Sequence, residues 1–188
     1  WTGLEQSLSK GLEAYVQRAY EGIATDHAAW LTFLAALAAA HDALPNAALA
    51  KLGCPPGEPP WPVKRWLRAR VLEQEVFWRF DHPRLREAFR SVPGLSAQIS
   101  ASRAMLWAAC REKERWLPDE YRLSHGIRHG LEVSTIDEKA LEVCVDRLLD
   151  PRYLQIKCEK EQIAELMWEL SEAQRLAMAA NQGRSNVY

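Results

Sequence analysis

The sequence predicts a mainly α-helical protein, and three observations carry that expectation. Apolar residues recur at three- and four-residue intervals through most of the chain. Capping residues open those stretches, and Pro or Gly closes many of them. One segment, 121–135, breaks the helical rhythm. The expected architecture is a single multi-helix domain of six to eight helices with a short β-hairpin or irregular insert near 121–135. It is read as an N-terminal helical pair over 1–52, a Pro-rich loop or linker over 53–62, a helical core domain over 63–180 and a flexible tail over 181–188.

With 188 residues, 48% hydrophobic and 26% charged, the chain has the composition of a globular domain able to bury a core. Eight tryptophans are many for this length. Most should be buried, with one or two left as interface anchors. The net charge of −1 argues against wrapping nucleic acid over the whole surface, but it is unevenly spread. Residues 61–90 hold eight Lys/Arg against four Asp/Glu, and residues 137–172 hold ten Asp/Glu against five Lys/Arg. Cys54, Cys110, Cys144 and Cys158 are far apart and show no CxxC spacing. They read as reduced residues of a cytoplasmic protein, mostly in the core. No signal-peptide pattern is read, and a chain opening on tryptophan is read as a fragment of a longer one.

The first helix follows from Thr2 and Glu5 as a capping box and from Leu4, Leu8, Leu12, Tyr15, Val16, Ala19 and Ile23 at helical spacing, to about Gly22. Thr25 or Asp26 caps the second, through AAWLTFLAALAAAHDAL, which ends before Pro45. It is too short to span a membrane, and His41 and Asp42 interrupt it, so a core helix is expected. GCPPGEPPWP, residues 53–62, ends helix formation. It has no basic residue close on the N-terminal side of its PxxP core, which weighs against an SH3-type ligand.

Trp61–Arg90 is the densest run of tryptophan and arginine. Wound as a central helix over 63–80, it places Val63, Trp66, Leu67, Ala69, Val71, Val76, Phe77, Trp78 and Phe80 on one side. Lys64, Arg65, Arg68 and Arg79 form a basic stripe on the other, suited to phosphates, an acidic partner or water. Asp81 and Pro83 start a further helix, stopped by Pro93-Gly94, and Ser96 starts the next, to Pro118. The pair loosely matches a helix-turn-helix over 84–115, reading DNA through Gln98, Ser100, Ser102 and Arg103. Arg103, Arg111 and Arg115 would extend a nucleic-acid surface.

Tyr121, Leu123, Leu131 and Val133 alternate with polar residues, and Gly126 and Gly130 punctuate, which predicts a hairpin or loop. Thr135 and Glu138 form a second capping box, before a helix stopped at Asp150-Pro151. A last helix over about 159–180 takes Ile163, Leu166, Met167, Leu170, Gln174 and Ala177 as its inward stripe. Trp168 lies off that stripe and is the candidate exposed anchor.

No GxSxG, HExxH, GxGxxG or GxxxxGK[ST] occurs, which lowers the odds of the familiar hydrolase, zincin, Rossmann and P-loop classes. His125 and His129 are weak metal candidates, needing a third ligand from His82, Cys54 or a carboxylate. Asp119, Glu120, Asp137 and Glu138 sit at helix ends, where they cap. No catalytic residue and no cofactor is expected. The leading expectation is a non-enzymatic helical interaction or assembly subunit, with a protein partner or self-assembly and no membrane contact. Lys64, Arg65, Arg68, Arg79 and Trp168 are its candidate contacts. Nucleic-acid binding through 61–90 with Arg103, Arg111 and Arg115 is the alternative, and a metal-dependent enzyme using His125 and His129 the third.

Overall fold

The computed structural model describes the backbone of residues 2–135 and 137–185, and the side chains of 11–135, 137 and 139–180. In chain order it contains α1 (Thr2–Asp26), a 3-10 turn (Ala28–Trp30), α2 (Leu31–Ala39), β1 (Leu44–Pro45), α3 (Asn46–Lys51), α4 (Trp61–Lys64), β2 (Leu67–Leu72) and β3 (Glu75–Phe80). After these come α5 (Pro83–Arg90), a second 3-10 turn (Pro93–Leu95), α6 (Ser96–Glu112), α7 (Asp119–Val133), α8 (Glu138–Leu148), α9 (Pro151–Glu159) and α10 (Ile163–Ser185). The protein is mainly α with a small three-stranded antiparallel sheet, ordered β1-β3-β2. Ten α-helices occur among the described residues, more than expected, because α3 and α4 are only six and four residues long and α9 begins at Pro151, where the chain was expected only to stop a helix. Among the described residues no helix is long and apolar enough to cross a membrane.

The chain divides into two compact units, Trp1–Met105 with Arg115–Leu117, and Leu106–Glu114 with Pro118–Tyr188. In the first unit α2 is the most deeply buried helix, with every residue but Thr32 buried. Its alanines let neighbours approach closely, and Leu34 and Phe33 are essentially inaccessible. A buried helix end leaves carbonyls without intrahelical partners. Two arginines of α5 supply the donors: Arg90 bonds the carbonyls of Ala38 and Ala39, and Arg86 those of Ala40 and His41. Their positive charge also suits the negative end of the α2 dipole. Part of the positive excess of 61–90 therefore serves the fold.

The sequence reading of one central helix over 63–80 is corrected by a hairpin. Strands β2 and β3 pair in register from Leu67↔Phe80 to Leu72↔Glu75. Glu73 and Gln74 form the two-residue turn, both left-handed, with φ of 49° and 70°. Alternation decides the strand: Trp78 and Phe80 point inward, Trp78 edge-on to Phe33 and Phe80 stacked on Phe89 at 5.0 Å. The aromatic run Val76-Phe77-Trp78 satisfies a helical or a strand period, and such residues favour strands.

In the second unit the expected hairpin or loop near 121–135 is instead the helix α7. Its glycines are sites of close approach, not breaks. A Cβ at Gly130 would lie 2.3 Å from Cys144 Sγ and 2.8 Å from the Trp107 ring. The expected cap of the following helix also shifts: Asp137 Oδ1 accepts from the Lys139 amide at 3.1 Å, whereas Thr135 donates back to the Glu132 carbonyl. The Thr2–Glu5 box falls on side chains outside the described residues. Asp150-Pro151 ends α8 and starts α9, with Asp150 Oδ1 accepting from the Arg152 amide at 2.9 Å.

Helix α10 turns a different face inward from the one expected. Leu166, Glu169 and Ala173 are buried, while Ile163, Met167, Leu170 and Met178 are exposed. The inward face is centred on a carboxylate, which the hydrophobic pattern excludes. Glu169 is accepted there because Lys157 Nζ donates to Oε1 at 3.0 Å and Tyr153 OH donates to Oε2 at 2.9 Å.

Candidate interaction site

The hairpin carries the basic surface expected of 61–90, in a different geometry. Cross-strand partners share a face, so Arg68, Arg70 and Leu72 lie beside Arg79, Phe77 and Glu75 on the outer one. Leu67, Ala69 and Val71 lie beside Phe80, Trp78 and Val76 on the inner one. Strand β2 is the outer strand of the sheet, and from Arg68 to Leu72 it is exposed on both faces; Val71 is 68% accessible.

Arg68 stands directly opposite Arg79. Like charges in that position oppose pairing. Asp81 lies 2.8 Å from Arg68, and Asp42 lies 4.0 Å from Arg79. Both pairs are solvated and worth at most about 1 kcal/mol each. Arg70, opposite Phe77, makes no ion pair among the described residues. The face thus keeps a positive excess around a half-buried aromatic ring. A cleft of about 250 Å³ next to it is lined by Asp42, Arg79, Phe80, Asp81 and Arg86 among others.

The other expected contacts are placed as follows. Lys64 pairs with Glu58, and the Arg65 guanidinium lies over the Trp66 ring at 4.7 Å. Arg103 is half-buried, Arg111 is exposed and paired with Glu112, and Arg115 is exposed. Arg103 and Arg115 belong to the first unit and Arg111 to the second. Ser102 is buried, so it cannot read bases as the helix-turn-helix expectation requires. Trp168 is 40% accessible, and the Arg128 guanidinium covers its ring at 4.6 Å. Arg70 and Phe77 were not among the expected contacts. Their signal is the alternation Leu-Arg-Ala-Arg-Val before the polar pair Glu73-Gln74.

The second unit holds its polar chemistry inside. Lys157, Glu169 and Tyr153 are buried together, and Lys157 Nζ also donates to the Ser124 carbonyl at 3.1 Å. Burial raises the carboxyl pKa of Glu169, while Lys157 pulls it back. Burial and the neighbouring carboxylate push the Tyr153 phenol up. With its hydrogen bonds made inside the unit, the cluster is a structural tie.

His125 and His129 do share a face of α7, with Tyr121 one turn before. Tyr121 OH lies 2.9 Å from His129 Nε2, and the His125 ring packs edge-on to Tyr121. The expected third ligands, His82 and Cys54, belong to the first unit. There His82 Nδ1 caps α5 by accepting from the Arg84 amide, and burial pushes the Cys54 thiol up to about 12.

Comparison with known proteins finds no family model, no curated protein and no solved structure that matches this chain.

Proposed function

We propose that this chain is a non-enzymatic interaction subunit that engages an acidic protein partner through the outer face of its hairpin. The observation that supports the reading most is the placement of Arg68 opposite Arg79, with Arg70 beside them. Folding alone gains little from that arrangement, because like charges across a strand pair cost stability and the solvated pairs with Asp81 and Asp42 offset that by at most about 1 kcal/mol each. An anionic partner turns the cost into binding energy and speeds encounter. The exposed apolar stripe Ile163, Met167, Leu170 and Met178 on α10 adds a second surface of the kind assembly proteins use. The four free cysteines accord with a cytoplasmic location.

Nucleic-acid binding through the same face is the second reading. Phe77 favours it, since an aromatic ring among arginines offers a stacking platform for bases. Titration of labelled poly-glutamate and of single- and double-stranded oligonucleotides, at low and raised salt, separates the two. The protein reading expects poly-glutamate to bind in a salt-sensitive way that Arg68→Glu with Arg70→Glu abolishes. Oligonucleotides bound more tightly than poly-glutamate, with a steep salt slope, favour the second reading. Binding of neither leaves the face solvated and ends both.

A further inference from the structure

We infer that the exposed edge of β2 accepts an added strand from an extended peptide that alternates acidic and apolar residues. The inference rests on the proposed interaction reading and specifies its partner. The Asp81 amide donates to the Trp66 carbonyl at 2.9 Å. That bond fixes the parity of the ladder: residues 66, 68, 70 and 72 direct their backbone groups to β3. Leu67, Ala69 and Val71 therefore direct their N–H and C=O groups away from the sheet. Among the described residues the sheet order places no strand on that side. Proteins usually blunt such an edge with proline, a bulge, inward charge or charged side chains. Of these β2 has only the last, Arg68 and Arg70, which repel a basic strand and attract an acidic one. Residues 67–72 contain no proline, and they pair with β3 without interruption.

The side chains beside that edge define the occupant. Arg68 and Arg70 flank it on the outer face, so alternate residues of an added strand meet two guanidiniums and should be Asp or Glu. Ala69 and Val71 flank it on the inner face, and both are exposed, so the intervening residues should be apolar. A second copy of this chain is the wrong occupant. Antiparallel pairing of two β2 strands sets arginines against arginines, beside the Arg79 of each copy.

The test uses a labelled octapeptide of alternating Asp and Val, a block peptide of the same composition, and the alternating peptide with two backbone amides N-methylated. Fluorescence anisotropy with the whole chain reads affinity, and hydrogen exchange reads individual amides. The alternating peptide should bind at least about tenfold more tightly than the other two, since each blocked amide loses a hydrogen bond. The amides of Leu67, Ala69 and Val71 should gain protection, while those of Arg68 and Arg70 stay as they were. Equal binding of all three peptides, with no new protection, overturns strand addition but leaves recognition of acidic chains by the arginine face standing. No binding of any peptide overturns strand addition as well, and the poly-glutamate titration then decides the broader reading separately. Ala69→Pro, which removes an outward donor and no ladder bond, should lose the preference for the alternating peptide; retained preference overturns the inference.

Discussion

Lys157→Met tests whether the buried ion pair ties α9 to α10. At 3.0 Å, with an effective dielectric of about 20, the attraction between Lys157 and Glu169 is roughly 5–6 kcal/mol. Removing one partner strands a charge in a site of about 1% accessibility, so the net loss of folding stability should be about 3–5 kcal/mol. The sign of its pH dependence follows from Glu169. Burial already raises its folded-state pKa above the ordinary 4.5, and loss of Lys157 raises it further. A raised carboxyl contributes stability that is fully present below its unfolded value and is lost as pH rises through the folded one. The penalty of Lys157→Met should therefore be small near pH 4 and largest around neutral pH. Lys157→Met combined with Glu169→Leu removes both charges and should return to within about 2 kcal/mol of the parent. Urea unfolding across pH measures all three proteins. A single substitution costing less than about 1 kcal/mol at neutral pH, or a penalty that does not change with pH, refutes the reasoning.

Gly130→Ala should destabilise by about 1–3 kcal/mol, because its Cβ would overlap Cys144 and Trp107, whereas Gly126→Ala, with 3.4 Å to Cys110 Cβ, should be neutral or stabilising by up to about 1 kcal/mol. Thermal unfolding distinguishes the two glycines. Glu73→Asn with Gln74→Gly should raise stability by about 1 kcal/mol, since both positions hold positive φ; an unchanged melting temperature counts against the turn geometry. A thiol reagent near neutral pH should label Cys158 alone in the folded protein, because Cys54, Cys110 and Cys144 are buried and pushed up to about 12. Prompt labelling of all four would contradict that burial.

The mainly α class was legible because most helices announce themselves through apolar period and their proline stops, as α2, α5 and α8 do. The caps were less legible, since α2 starts at Trp30 with no side-chain cap and α5 and α8 are capped by His82 and Asp137, where Asp81 and Thr135 were expected. The hairpin was not, since Val76-Phe77-Trp78 fits two periods and only Glu73-Gln74, an uncommon turn pair, separates the strands. Helix α7 was hidden by Gly126 and Gly130, whose reason lies in the partners Cys110, Cys144 and Trp107, distant in sequence. The inward face of α10 was misplaced because one buried carboxylate outweighs several apolar residues once Lys157 and Tyr153 meet it. Of the candidate contacts, Arg68 and Arg79 were legible from charge alone, although their direct opposition needs the register.

Helix α10 carries two apolar faces about 100° apart, and the outward one is the richer. Hydrophobicity alone does not say which way the helix should be turned. Glu169 does, since only one setting gives it an ammonium and a phenol. Lys157 and Glu169 then act as a key that selects a rotational setting and contribute little net energy to the fold. A chain with both charges replaced by apolar side chains can keep its melting temperature and still lose uniqueness, with α10 sampling two settings and its NMR signals broadening or doubling.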